Sequence, residues 1–232
     1  MSNRKQELAD NLAATKEHIS AIAAEHERPA PQLLVVTKFH PAEDIALLAE
    51  LGVEDVAENR EQEARAKAQK LDQLRFHMIG QIQTKKANHV ARWATSVHSV
   101  DSVKLANALD RGVSLAKERG QRESNLPIFI QVSADGDTSR GGVIREELDE
   151  VIESVEAAEH LEFAGLMVVP PLDADAQEIF STVRADVDRL SERLGRQLKL
   201  SAGMSADMDA AIAAGTDIVR VGTSIMGKRP VG

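Results

Sequence analysis

The sequence predicts an α/β fold, a single TIM-like (β/α)8 barrel with an extra N-terminal helix. Three observations carry this expectation. Short β-rich runs alternate with longer helical stretches along the whole chain, and the alternation never breaks. Eight such runs, each leading into a helix, call for parallel pairing with right-handed crossovers. The length of 232 residues is close to the roughly 250 typical of a closed barrel. An open doubly wound sheet satisfies the same periodicity and stands as the rival architecture.

The elements follow in order. An amphipathic pattern beginning directly after Met1-Ser2 predicts a helix over 3–25. The apolar run Leu33-Leu34-Val35-Val36-Thr37 predicts the first strand. Pro41 at a first turn and Gly52 as a stop bracket a helix over 41–51. Strands over 55–57, 76–79 and 96–100 come next, then a helix over 102–119. The second half reads as strand 128–132, helix 144–158, strand 163–168, helix 174–194 and strand 198–200. A helix over 207–214, stopped by Gly215, leads to the last strand at 218–221. No linker, low-complexity tract or repeat interrupts the series, so residues 1–232 read as one domain.

Composition narrows the function classes. A hydrophobic content of 43% suits one large core, and no apolar stretch or leader suggests a membrane or secretion, so a soluble protein is expected. The absence of cysteine excludes disulfides and thiolate metal sites and fits a reducing cytoplasm. A net charge of -9 argues against nucleic acid as a partner. The histidines at 18, 26, 40, 77, 89, 98 and 160 show no ligand spacing on a shared helix, so no metal is expected. Nothing in the periodicity exposes a decisive apolar patch, which leaves a monomer as the default.

Residues 222–228 spell the first seven places of a nucleotide hydrolase phosphate loop. Arg229 takes the eighth place, Pro230 follows and the sequence stops at Gly232, so no helix is expected to present its N-terminus there. An NTPase is rejected on that ground.

The unusual residues converge on the ends of the strands. Lys38 follows the first, Glu58-Asn59 the second, Gly80 the third, Asp101 the fourth and Ser133 the fifth. Met167 and Pro170-Pro171 close the sixth, the run 201–205 follows the seventh, and Gly222-Thr223-Ser224 follows the eighth. In a barrel all of these lie on the carboxyl-terminal rim, the face that carries chemistry. A lysine delivered there by a buried strand suits a Schiff base, because burial favours the neutral, nucleophilic amine; a lysine simply pointing into solvent is the plainer reading. The small residues at 201–203 and 222–224 let backbone N–H groups approach a phosphate, although Gly and Ser also make ordinary turns. Arg220 places a permanent cation in a buried strand, on the same face as Ile218 and Gly222. It faces either a ligand, for which a heteroaromatic nitrogen is a fitting acceptor, or an ion pair with an outer helix. His77 and His98 fall in strand patterns and read simply as hydrogen-bonded core residues.

Taken together these residues carry a resemblance. The segments Val35-Val36-Thr37-Lys38, Glu58-Asn59-Arg60-Glu61-Gln62-Glu63 and Phe76-His77-Met78-Ile79-Gly80-Gln81 are part of it, as is His98-Ser99-Val100-Asp101-Ser102. So are Ser139-Arg140-Gly141-Gly142, Leu200-Ser201-Ala202-Gly203-Met204-Ser205 and Val219-Arg220-Val221-Gly222-Thr223. In this order they resemble the YggS/PROSC family of pyridoxal 5′-phosphate (PLP) homeostasis proteins, which are similar to the barrel domain of alanine racemase. Departures from the family pattern fall at Ala57, Thr84, Arg140 and Ala202.

The resemblance implies a PLP barrel of fold type III. It implies that Lys38 holds PLP as an internal aldimine, that Arg220 faces the pyridine nitrogen, and that Ser205 with the Gly222-Thr223 backbone binds the phosphate. Asn59, Ser201 and Met204 would line the cofactor, and His77, Met167 and Gly203 complete the candidate set. It further implies a carrier or regulator of vitamin B6 that affects amino-acid pools, with PLP-dependent apo-enzymes as candidate recipients. An alanine racemase-like enzyme is the alternative, with His77 or another rim residue as acid–base group. The absence of tyrosine, and of sequence after Gly232 for a second β-rich domain, weighs against turnover. An aldolase-like Schiff-base barrel without PLP is the third reading.

Overall fold

Eight parallel strands close on themselves in the computed structural model, which describes residues 3–228. They are β1 (Gln32–Val36), β2 (Asp55–Glu58), β3 (Arg75–Met78), β4 (Ser96–Val100), β5 (Leu126–Val132), β6 (Leu161–Val168), β7 (Lys199–Ser201) and β8 (Ile218–Val221). Each pairs with its neighbour in sequence, and β1 closes on β8 with Leu34 opposite Arg220 and Val35 opposite Val221. The open doubly wound alternative is thereby excluded.

Around the barrel lie α1 (Asn3–Glu25), α2 (Ala42–Glu50), α3 (Glu61–Ala68), α4 (Ala87–Trp93) and α5 (Val103–Glu118). They continue with α6 (Leu148–Glu156), α7 (Ala176–Leu194), α8 (Met208–Ala214) and α9 (Thr223–Met226). The segment expected as one helix over 144–158 is a 3-10 turn, Arg145–Glu147, running into α6. Three helices were not foreseen. α3 is Glu-Gln-Glu-Ala-Arg-Ala-Lys-Ala, with no apolar stripe to reveal it, while α4 and α9 have seven and four residues and are held by packing rather than by propensity.

The apolar material divides into layers. Most of it lies between the strands and the helices, where each fully buried Leu, Ile or Phe contributes about 1.5–3 kcal/mol. A small inner cluster of Leu34, Val36, Ala57, Phe129, Met167 and Ile218 fills the barrel itself. Since Leu34 points inward, its partner Arg220 does too.

α1 has a definite task in this arrangement. Leu8, Leu12 and Ile19 pack in one cluster with Met208, Ile212, Ile225 and Met226. Asn11 donates to the Ile225 carbonyl at 3.0 Å and Arg4 to that of Met226 at 2.8 Å, satisfying carbonyls at the end of α9. The extra helix thus fastens the turn that follows β8. Among the described residues no helix is long and apolar enough to cross a membrane.

Candidate functional site

At the carboxyl end of β1, Thr37 is fully buried and half-buried Lys38 begins a turn in which Phe39 adopts a left-handed φ of 68°. Such a conformation is uncommon for a bulky residue and persists only when its surroundings hold it. The hold comes from Lys67 on α3. Its Nζ donates to the Thr37 carbonyl at 3.0 Å, to Glu58 Oε1 at 2.7 Å and to Glu63 Oε1 at 2.6 Å. Glu63 Oε1 also accepts the Phe39 N–H at 2.8 Å, and Glu58 Oε1 accepts the Thr37 hydroxyl at 2.6 Å. Both residues flanking Lys38 are therefore tied to one buried cation between two carboxylates. Burial raises Glu58 above the usual carboxylate range, and the Lys67 ammonium opposes that shift.

Arg220 lies inside the barrel, 3% exposed. Its Nη1 donates to Ser201 Oγ at 2.8 Å and its Nη2 to the Val168 carbonyl at 3.1 Å. Among the described residues no ion pair includes it, so the outer-helix alternative does not hold. Burial pulls its pKa down to about 10, which still leaves a full positive charge at neutral pH. A buried cation whose acceptors are a hydroxyl and a carbonyl is suited to a further acceptor from a ligand.

The neighbouring loops converge on this point. Gly203 accepts the Arg220 N–H at 2.9 Å, and a Cβ at Gly203 (φ 96°) would meet that of Ala211 at 2.6 Å, so the turn requires glycine. Asn59 and Met167 line a cavity of about 200 Å³ at the mouth together with Gly80, Gln131, Ser133 and Arg140. Gly80 lets the ends of β2 and β3 approach, since a Cβ there would lie 2.1 Å from the Asn59 carbonyl oxygen. Asn59 Oδ1 is buried without a hydrogen-bond partner. Met204 and Ser205 are exposed in the loop after β7, Thr223 is exposed at the start of α9, and Gly222 packs against Val36, next to the Lys38 turn.

Two expectations are corrected. Thr223–Met226 does form a helical turn directly after Gly222, because Ile225 and Met226 are buried beneath α1; Arg229, Pro230 and Gly232 lie outside the described residues. His77 is not on the rim. It faces the amino-terminal half of the barrel, beside a separate cavity of about 290 Å³ that Gln32, Thr95, Glu162 and Lys199 also line. Strand alternation puts a side chain inside or outside the barrel but does not say at which height it sits.

His77 Nε2 meets Asp55 Oδ1 at 2.8 Å, and Arg75 grips both Asp55 oxygens at 2.8 and 2.7 Å. Burial pushes the Asp55 pKa up, but the hydrogen bonds and charges of Arg75 and His77 outweigh it and hold the carboxyl well below its usual range. A depressed carboxylate pKa supplies stability above the unfolded value, about 4, and loses it as the pH falls through and below that value. Asp55→Asn is therefore expected to lower stability at neutral pH by an amount that shrinks under acid. Urea melts of both proteins across the acid range check this, and a gap that does not change with pH would contradict it.

Comparison with known proteins adds to this geometry. The sequence matches the family described as alanine racemase, N-terminal domain, over residues 11–230. Alanine racemase from Corynebacterium glutamicum shares the fold, with a TM-score of 0.72 at 16% identity over 98% of this chain and 62% of the racemase. Fold and site thus define a barrel of the alanine racemase type. A pyridoxal phosphate homeostasis protein of Corynebacterium glutamicum is 55% identical over 216 residues, 92% of this chain and 98% of that protein. PipY of Synechococcus elongatus PCC7942, solved with PLP bound, superposes with a TM-score of 0.81 at 32% identity over 95% of this chain and all of PipY. The chain belongs to the family of pyridoxal phosphate homeostasis proteins.

Sequence reasoning missed the Glu58–Lys67–Glu63 group, although the Glu63–Lys67 spacing of four residues was a visible signal for a helix and an ion pair.

Proposed function

We propose that this protein binds PLP at the carboxyl mouth of the barrel, holding it as a Schiff base on Lys38, and acts in intracellular PLP homeostasis. The observation that carries the reading is Arg220: a buried cation, without a carboxylate partner among the described residues, beneath the mouth that Lys38 borders. The residues present fit the group. Lys38 supplies the amine, Arg220 a donor for the ring nitrogen, and Ser205 with the Gly222-Thr223 backbone the donors for a phosphate, while Asn59, Ser201, Gly203, Met204 and Met167 line the space. PLP supplies an aldehyde that condenses reversibly with amines and a pyridine ring that withdraws electrons when its nitrogen is protonated.

Arg220 donates a hydrogen bond but keeps its proton, which suits holding the cofactor better than driving turnover. The sequence offers no tyrosine as an acid–base group, and His77 faces away from the mouth. We therefore read the chain as a cytoplasmic, monomeric carrier that buffers PLP or delivers it to PLP-dependent apo-enzymes, and so affects amino-acid metabolism indirectly.

Borohydride reduction of the protein loaded with PLP, followed by peptide mass mapping, is expected to place a phosphopyridoxyl group on Lys38. A reduced adduct confined to other lysines, or none at all, would overturn the assignment. Exchange of an amino acid's α-proton far beyond the protein's own stoichiometry would favour an enzyme over a carrier.

A further inference from the structure

A chain of side-chain hydrogen bonds runs through the barrel from Arg220 to its opposite mouth. Arg220 Nη1 donates to Ser201 Oγ, which lies 2.9 Å from His98 Nδ1. His98 Nε2 is 2.8 Å from Ser96 Oγ, Ser96 Oγ is 2.7 Å from His77 Nδ1, and His77 Nε2 is 2.8 Å from Asp55 Oδ1. His98 is stacked on Phe129 with ring centroids 4.2 Å apart, and Ser96, His98 and Ser201 are all buried.

With both rings neutral, the carboxylate end sets the direction of every bond in the chain, and the serine oxygen at the other end accepts from the guanidinium. A guanidinium can only donate and an ionised carboxylate can only accept. One assignment uses every polar hydrogen of the two serines and two histidines: Ser201 donates to His98 Nδ1, His98 Nε2–H to Ser96, Ser96 to His77 Nδ1, and His77 Nε2–H to Asp55. Both rings are then neutral with the proton on Nε2. The reverse assignment, with the proton of each ring on Nδ1, would leave the Ser201 hydroxyl hydrogen without an acceptor among these groups and face His77 Nε2 to the Asp55 carboxylate with no hydrogen between them, a cost typical of an unmade buried bond. Burial, with the nearby His77 and Arg220, pushes His98 well below its ordinary pKa, in keeping with a neutral ring.

We propose that His98 is a positioning residue for Arg220: through Ser96 and His77 it is anchored on Asp55, so that the Ser201 hydroxyl hydrogen is held on His98 and its lone pairs are left facing the guanidinium. The orientation of Arg220 at the carboxyl mouth is thus set from the amino-terminal mouth. The consequence for the cofactor rests on the PLP reading above; the direction of the chain does not.

Two variants cut the chain outside the mouth. His98→Phe keeps a ring against Phe129, and Ser96→Ala removes one hydroxyl with little change in volume. In the cofactor-free wild type, imidazole nitrogen NMR is expected to show His77 and His98 both protonated on Nε2, with slow exchange of the Arg220 side-chain N–H groups. In both variants that exchange accelerates. PLP affinity falls about tenfold, the loss expected for one well-placed hydrogen bond, and the visible band of bound PLP shifts while the reduced adduct stays on Lys38. A proton on Nδ1 of either ring in the wild type, or wild-type Arg220 exchange in Ser96→Ala, overturns the proposal. If the wild type takes up no PLP, the functional reading fails, and the tautomer and exchange measurements still decide whether Arg220 is positioned in this way.

Discussion

Lys67→Met is expected to destabilise the protein by about 3–5 kcal/mol, the usual result of removing one partner from a buried charge pair. Lys67 is the shared donor to Glu58, Glu63 and the Thr37 carbonyl, and Glu58 is fully buried. Methionine fills much of the same space but leaves the buried Glu58 carboxyl without its cation. The folded Glu58 pKa, already raised by burial, rises further without the ammonium. A raised carboxylate pKa penalises the folded state at high pH and is relieved as the pH falls through it, so the deficit should shrink as the solution is acidified. Urea unfolding at several pH values measures this, and Lys67→Met combined with Glu58→Gln should recover part of the loss. A stability within about 1 kcal/mol of wild type at neutral pH would show that the group is not a working ion pair. Because the same donor holds Thr37, and its partner Glu63 holds Phe39, the single variant should also capture less PLP on Lys38.

Arg220→Met should behave in the opposite way. Among the described residues Arg220 has no paired carboxylate to leave stranded, so its removal relieves a desolvated charge while depriving Ser201 and the Val168 carbonyl of a donor. These effects oppose each other, and the cofactor-free variant is expected to unfold within about 2 kcal/mol of wild type. PLP affinity, in contrast, should fall between about tenfold and a hundredfold, the worth of a hydrogen bond from a charged donor. Equilibrium titration by absorbance, beside thermal melts of the cofactor-free proteins, separates the two quantities. Undiminished affinity in Arg220→Met would remove the basis for placing the ring nitrogen against this residue. The two cations differ in their surroundings: Lys67 lies between two carboxylates, whereas Arg220 meets a hydroxyl and a carbonyl and no carboxylate among the described residues.

The strands were legible because most are short apolar runs, and the Ser96–Val100 and Ile218–Val221 boundaries emerged as expected. The N-terminal helix also matched its expected span of Asn3–Glu25. α3 escaped because alanines and the stems of charged side chains make its buried face, which leaves no apolar period to read. The rim residues were legible as a set, since each follows a strand and parallel pairing sends every strand end to the same face. For His77 the reading as a hydrogen-bonded strand residue agrees with its bonds to Ser96 and Asp55, and only the placement on the rim did not hold, since height within the barrel depends on the stagger between neighbouring strands.

By itself the sequence determined the order of the elements, the parallel sheet and the position of Lys38 at a strand end, all of which follow from local periodicity; which way Arg220 faces it left open, and the register with inward-pointing Leu34 decided that. The tertiary structure alone decided that the sheet closes, that Lys67 clamps the turn around Lys38, and that Arg220 is joined through His98 to Asp55. Those contacts bring together residues as far apart as Ser96, Ser201 and Arg220. Hydrogen bonds act over about 3 Å, and which side chains come that close is set by barrel closure and register, which no local pattern encodes.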